Sequence, residues 1–537
     1  MLMMTKVATF VRVVMPVSML LLAIAAPAFG RNQYLPRDHE IRELERLYSR
    51  QRRTLPTASF PISKQEAVTF AERLLELPLS AREREQVEAY TESLAYEPEV
   101  FRYDFEVGLS YQQFLPDGIE TDDFYHLLRT VKPSSSLRFF YGRDDLAAFY
   151  LQMDLVKEYA QFDEFENYTN FPPFIEDNPY AVEYNNITRG YWQQFFGPLE
   201  MVFGRQPAHL GPSPQHALHV SQEVPFLDAL RFNLPLGRVR MTMLISTLEN
   251  RRARGERSPD DVNVPVAPLI YGYGDSIIFY NVHRFELDLD RLRIGLGAHM
   301  LLSRENNTFR LSDFFPVFSW HNANVTPNNL SLVGDFTFAL APGLQTYLQY
   351  GFDDINLNPV GISDDSIPTI GSVLGGLVVH HGNAAVRRRS QLELGYTHWL
   401  WGSFEDDNYL SRAIYRVDLV GDNRWIPLTS PFGPGRAWAK LRTEAVTRHE
   451  WDYYARGLLR LENVEADLAQ NTYGADSEPK GADWEPVLDL GIGAGYTVLE
   501  RLRLSVEPAV RFSRASSPRV EVILGAQTAV GIRGRLN

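Results

Sequence analysis

His209, His216 and His219 fall within one short stretch rich in Pro and Gly, and a histidine cluster of this kind invites a reading as metal ligands. The spacing argues against it, because no carboxylate or second His holds the i, i+4 relation that places two ligands on one helical face. Asp353-Asp354 and His380-His381 carry the residue types of an acidic protease pair and an Asp-His dyad. Adjacent residues on an extended strand point to opposite faces, so neither doublet converges on one substrate. His321-Asn322 with Asn324 does not form the Ser/His/Asn set that a phospholipase requires. The glycines of GLGAHM and GIGAGY recur at strand spacing, which makes them small residues on one strand face before they are a phosphate cradle. The expectation is a protein without enzymatic activity, cofactor or metal.

The elements that position these residues alternate with a period of two. In residues 100–111, VFRYDFEVGLSY, the apolar Phe101, Tyr103, Phe105, Val107, Leu109 and Tyr111 interleave with charged or small residues. Such a run is long for a globular strand and suits a strand that crosses a bilayer, which needs about 9–11 residues. Residues 199–248 hold two more such runs, LEMVFGR and ALRFNLPLGRVRMTMLISTL, around an insert over 206–224. Val239, Met241, Met243 and Ile245 share one face there, against Arg238, Arg240, Thr242 and Leu244. Further hairpins pivot on 142–145, on the turn before Leu292, and on Ala341-Pro342-Gly343. Tight turns such as Pro235-Leu236-Gly237 contrast with long polar connections over 356–369 and 468–482, the asymmetry of an outer-membrane barrel. The expected fold is an all-β membrane barrel over 98–537, with about 16–18 antiparallel strands at roughly 24 residues per strand and loop. No repeat of propeller-blade length is present.

The chain has 537 residues, no cysteine and a net charge of −14. That balance, without a basic stripe, excludes a nucleic-acid partner. Lys6 and Arg12 precede an apolar run over 13–26 and small residues up to Gly30, which predicts a signal peptide over 1–30. Residues 31–97 predict a periplasmic helical layer. Ile41, Leu44 and Leu47 space one helix. Ser63 with Glu66, and Ser80 with Glu83, have capping-box spacing for two more, with Val68, Phe70, Leu74 and Leu75 on or near one face. Pro56 and Pro61 break the chain between the first two helices. The chain ends Arg535-Leu536-Asn537, without the terminal aromatic that many bacterial barrels carry.

Gly204-Arg205-Gln206, Leu210-Gly211-Pro212-Ser213, Leu218-His219-Val220-Ser221 and Pro225-Phe226 resemble the pattern of the capsule assembly protein Wzi family. That pattern is Gly-Arg, a Trp-Gly-Pro-Gly turn, Leu-x-x-Ser and Pro-Phe; Leu210 and Ser213 depart from it. Downstream, Asp335 ahead of Ala341-Pro342, then Tyr347 to Tyr350 and Asp353-Asp354, resembles the family's Asp-strand-Pro-strand-acidic arrangement. The resemblance implies an outer-membrane, lectin-like barrel associated with capsular or other surface polysaccharide. Its partners would be that polysaccharide and the membrane lipids, with the chain acting as a monomer. The alternative is a porin-like diffusion channel. Arg205 suits a bidentate brace for a loop folded into the lumen, with Asp335, Glu200 and Asp353 as its expected partners. The site residues expected on these grounds are Arg205, Asp335, Asp353 and Asp354.

Overall fold

The computed structural model describes residues 32–94 and, between 101 and 530, the strands and most of what joins them. Outside the description lie 1–31, 95–100, 116–134, 144–145, 158–166, 170–181, 225, 249–275, 306–307, 309–327, 354–369, 383–385, 403–413, 419–422, 430–431, 448–450, 464–483, 499–501, 515–517 and 531–537. The expected signal peptide, the 97/98 boundary, His321, Asn322, Asn324 and Asp354 therefore fall outside the described residues.

The alternating segments form a closed antiparallel barrel whose wall has 18 strands, the upper end of the expected range. Successive strands are neighbours, and the barrel closes where Arg519–Val530 pairs with Phe101–Leu115. A short strand, Asn167–Thr169, adds to the end of Phe101–Leu115. Wall strands run from 8 residues (Leu199–Gln206) to 15 (Phe101–Leu115), and all but the shortest reach the roughly nine that a tilted strand needs to cross a hydrocarbon layer. Among the described residues no helix is long and apolar enough to do so.

The two faces of the wall are inverted relative to a soluble protein. Phe203 (64% exposed), Leu296 (64%) and Ile492 (61%) stand out from the barrel, with Leu236, Phe285, Leu394 and Leu441 also exposed. Their strand neighbours turn inward, where Glu200, Arg231, Arg240, Arg284, Glu286, Arg293, Asp335 and Glu393 are all buried. An exposed apolar belt of this extent is stable against lipid rather than water. The tight turns gather at one end. Gly237 and Gly343 sit there with φ of 64° and 78°, in the left-handed region that two-residue hairpin turns demand.

The helical layer covers that same end. It comprises α1 (His39–Arg50), α2 (Lys64–Leu75) and α3 (Ala81–Ser93). Ser63 accepts from the Glu66 amide at 3.1 Å at the start of α2, and Ser80 with Glu83 forms a reciprocal box at the start of α3. Ile41, Leu44 and Leu47 from α1 pack with Phe70 and Leu74 from α2 and with Val87 and Tyr90 from α3. Val68 and Leu75 are only partly buried against this core. The layer is thus a small core of its own. It is tied to the turns by Gly343 N–H to Ser49 O (2.9 Å), Thr54 N–H to Asp290 O (2.8 Å) and Arg42 to Glu444 (2.6 Å).

Candidate functional site

Two pieces of chain enter the lumen and meet. Residues 54–63, between α1 and α2, form a strap, and the insert over 206–224 folds inward from the wall. Phe60 pairs with His209 and Ser59 with Leu210, while Leu210 bridges to Val220 within the insert. The Gly211 amide donates to Ala58 O at 3.0 Å.

Alternation supplies a layer of lumen-facing charges that hold the strap by its backbone. Arg231 donates to Pro61 O at 2.7 Å, and Arg293 donates to Leu55 O at 2.9 Å and Thr57 O at 2.7 Å. Glu286 accepts from the Ala58 amide at 2.6 Å and the Thr57 hydroxyl at 2.7 Å. Arg284 donates to the Ser59 hydroxyl and forms a two-point pair with Asp335, one arm at 3.0 Å. Arg240 pairs with Glu66 of α2. A Cβ at Gly295 would meet Arg284 Nη2 at 2.4 Å, so glycine there makes room for the guanidinium. These charges are buried, and each has hydrogen-bonding partners, the condition under which buried ions are tolerated.

The insert has its own anchor. Glu393, fully buried, accepts from Ser213 and binds His216, and also accepts from Tyr347 Oη and Trp438 Nε1, each at 3.0 Å. The Ser213 hydroxyl and the His216 ring both converge on the carboxylate, so the ring is not placed to take the Ser213 proton, and the His216 amide donates to Ser213 Oγ at 3.2 Å. Gln349 accepts from the Leu218 amide at 2.8 Å, and Tyr280 donates to His219 O at 2.7 Å. His219 Nδ1 lies 3.1 Å from His299 Nδ1. The arrangement braces a plug.

Of the residues expected from sequence, the three that are described, Arg205, Asp335 and Asp353, are not brought together. Arg205 shares the outward parity of Phe203 and forms a fork with Asp228 (2.8 and 2.9 Å), with its guanidinium 4.1 Å over the Phe226 ring. The lumen-bracing role expected for Arg205, with Asp335, Glu200 and Asp353 as partners, is therefore corrected. One residue of parity puts it on the opposite face of the wall. Glu200 instead accepts from Gln193 and Asn233. Asp335 is buried on the inward face and pairs with Arg284 rather than with Arg205. Asp353 accepts from Asn329 (2.9 Å), Ser331 and the Gly402 amide (2.8 Å), tying a strand end to the 400–402 turn. Glu45 of α1 faces His380 and Arg389, each at 3.6 Å. Burial alone would raise the Glu45 carboxyl, but these two neighbours outweigh it and hold it at about 2. Sequence reading missed the strap, the Arg231–Arg284–Arg293 layer and Glu393. Their signal was present, since each is a charge at mid-strand on the inward parity and must find a buried partner.

The fold and this site define a large antiparallel barrel of the outer-membrane kind with chain folded into its lumen. Among solved structures it is similar to Wzi of Escherichia coli, an outer-membrane protein of group 1 capsule assembly described as a carbohydrate-binding β-barrel. The likeness has a TM-score of 0.59 at 15% identity and covers 94% of this chain and 100% of that one. Two Pseudomonas aeruginosa barrels, OccD3 and OpdL, match with TM-scores of 0.41 at 11% and 10% identity. They cover 82% and 81% of this chain, and 93% and 99% of their own. No protein-family model matches the sequence, and no curated protein does.

Proposed function

We propose that this chain is an outer-membrane barrel that holds capsular or other surface polysaccharide at the cell surface, lectin-like and without enzymatic activity. The carrying observation is the occupied lumen: strap and insert are clamped by buried charges within a fold that matches Wzi along 94% of the chain. A barrel so filled is built to hold its shape while it holds a glycan. The apolar belt fits outer-membrane lipids. The tight-turn end, covered by the helices, would face the periplasm, as short barrel turns do. The chain would reach the membrane behind a signal peptide over 1–30 and act there as a monomer. Deleting the protein from its host tests this reading: polysaccharide should be shed into the medium while its total synthesis is unchanged. Undiminished surface retention would contradict it.

A further inference from the structure

The insert is closed on itself at His209 and joined to the wall at His219–His299, and the hydrogen bonds of these histidines permit only one protonation state. His209 Nδ1 accepts from the Gln222 amide at 3.1 Å, so its proton sits on Nε2, which donates to Ser213 O at 2.7 Å. A second proton on this ring would face a donor. His219 and His299 approach Nδ1 to Nδ1 at 3.1 Å, a contact that holds one proton; two would set N–H against N–H and charge against charge. Nε2 of both rings is buried without a hydrogen-bond partner, and a Cβ at Gly297 would come within 2.9 Å of the His219 Nε2. The groups around them add no compensating anion. His209 faces His216, Arg284 and the Phe60 ring. His219 faces His299 and Arg284, and His299 packs against the Tyr280 and Trp401 rings. The carboxylates beside Arg284, Asp335 and Glu286, are already paired with it. His216 differs, because it sits on Glu393, with Lys440 also acting on that carboxylate.

We propose that the insert is an acid-released latch, in which protonation of His209 frees Gln222 from its hold within the insert and protonation of the His219–His299 pair releases the insert from the wall, so that residues 217–224 unseat while the His216–Glu393 contact keeps residues 213–216 moored. Burial pushes His209 down to about 4 from its ordinary 6.5. Burial, His299 and Arg284 push His219 well below the same value. The folded value is the lower one, so the unseated state binds more protons. Seating is complete above the ordinary histidine value and is lost as pH falls from 6.5 toward 4.

Hydrogen–deuterium exchange on the full-length protein in detergent, corrected for the intrinsic pH dependence, tests the latch. Between pH 7.5 and pH 5.0 the amides of Leu218 and Gln222 should exchange at least about tenfold faster, while the wall amide of Asp335 is unchanged. A ratio within about twofold at Leu218 and Gln222 would overturn the proposal. The double substitution His219→Asn with His299→Asn leaves a donor and an acceptor near the Nδ1 positions that do not titrate. It should shrink the response by at least about threefold. An undiminished response would also overturn the proposal. If that variant fails to fold, the unsubstituted protein still decides: the midpoint must lie between the two histidine values, 6.5 and about 4.

Discussion

Asp335 and Arg284 are both fully buried in side chain, and their two-point pair is what lets a guanidinium sit inside the wall beneath the strap. Asp335→Asn keeps the shape and removes the charge, leaving Arg284 with Glu286 alone. The expected cost is at most about 3 kcal/mol, the low end for breaking a buried pair, because Arg284 keeps Glu286 at 3.2 Å. It would be read as a lowered thermal midpoint of the detergent-solubilised barrel. Arg205→Ala provides the contrast. Its fork with Asp228 is part-exposed, with side chains 33% and 49% accessible, so the loss should stay within about 1 kcal/mol. Exchange at the insert amides should not change, because Arg205 points away from the lumen. At this scale the sequence was half legible. Asp335 was singled out by the family resemblance and as a partner of Arg205, but the partner it takes is Arg284, 51 residues away. Arg205 was assigned to the lumen although it shares the parity of Leu199, Met201 and Phe203, the apolar face that a membrane barrel turns to lipid.

Secondary structure was the most legible level. The strands are long and strictly alternating, so their existence and type follow from the pattern alone. The helix starts were nearly as plain: Ser80 and Glu83 form the box that their spacing implies, whereas Ser63 caps through its hydroxyl alone and the Glu66 side chain turns to Arg240. Ser80→Ala should remove the box at the head of α3 and cost about 1 kcal/mol locally. Faster amide exchange over the first turn of α3 would register it, with α1 and the wall unaffected. The strap was not legible. Between Pro56 and Pro61 the chain reads as a break, and it becomes an element only when the wall supplies partners. The Thr57–Glu286 contact spans 229 residues, a separation that no local pattern encodes. The insert was noticed for its composition, yet its fold depends on Glu393, 177 residues from His216.

For the whole molecule, closure of the wall and occupation of its lumen are separate properties. Closure needs only edges that pair, as Phe101–Leu115 and Arg519–Val530 do. Occupation needs the strap and the insert. Excising residues 208–222 behind a short Gly-Ser joint should leave a folded barrel and raise its conductance in a planar bilayer above that of the intact chain. A large, steady conductance from the intact protein would instead favour a diffusion channel. A filled barrel that holds surface polysaccharide must bind it. Purified full-length protein should bind the host's own surface polysaccharide saturably, with an unrelated neutral glycan failing to compete. Absence of saturable binding to that polysaccharide, by a protein shown to be folded, would contradict the account.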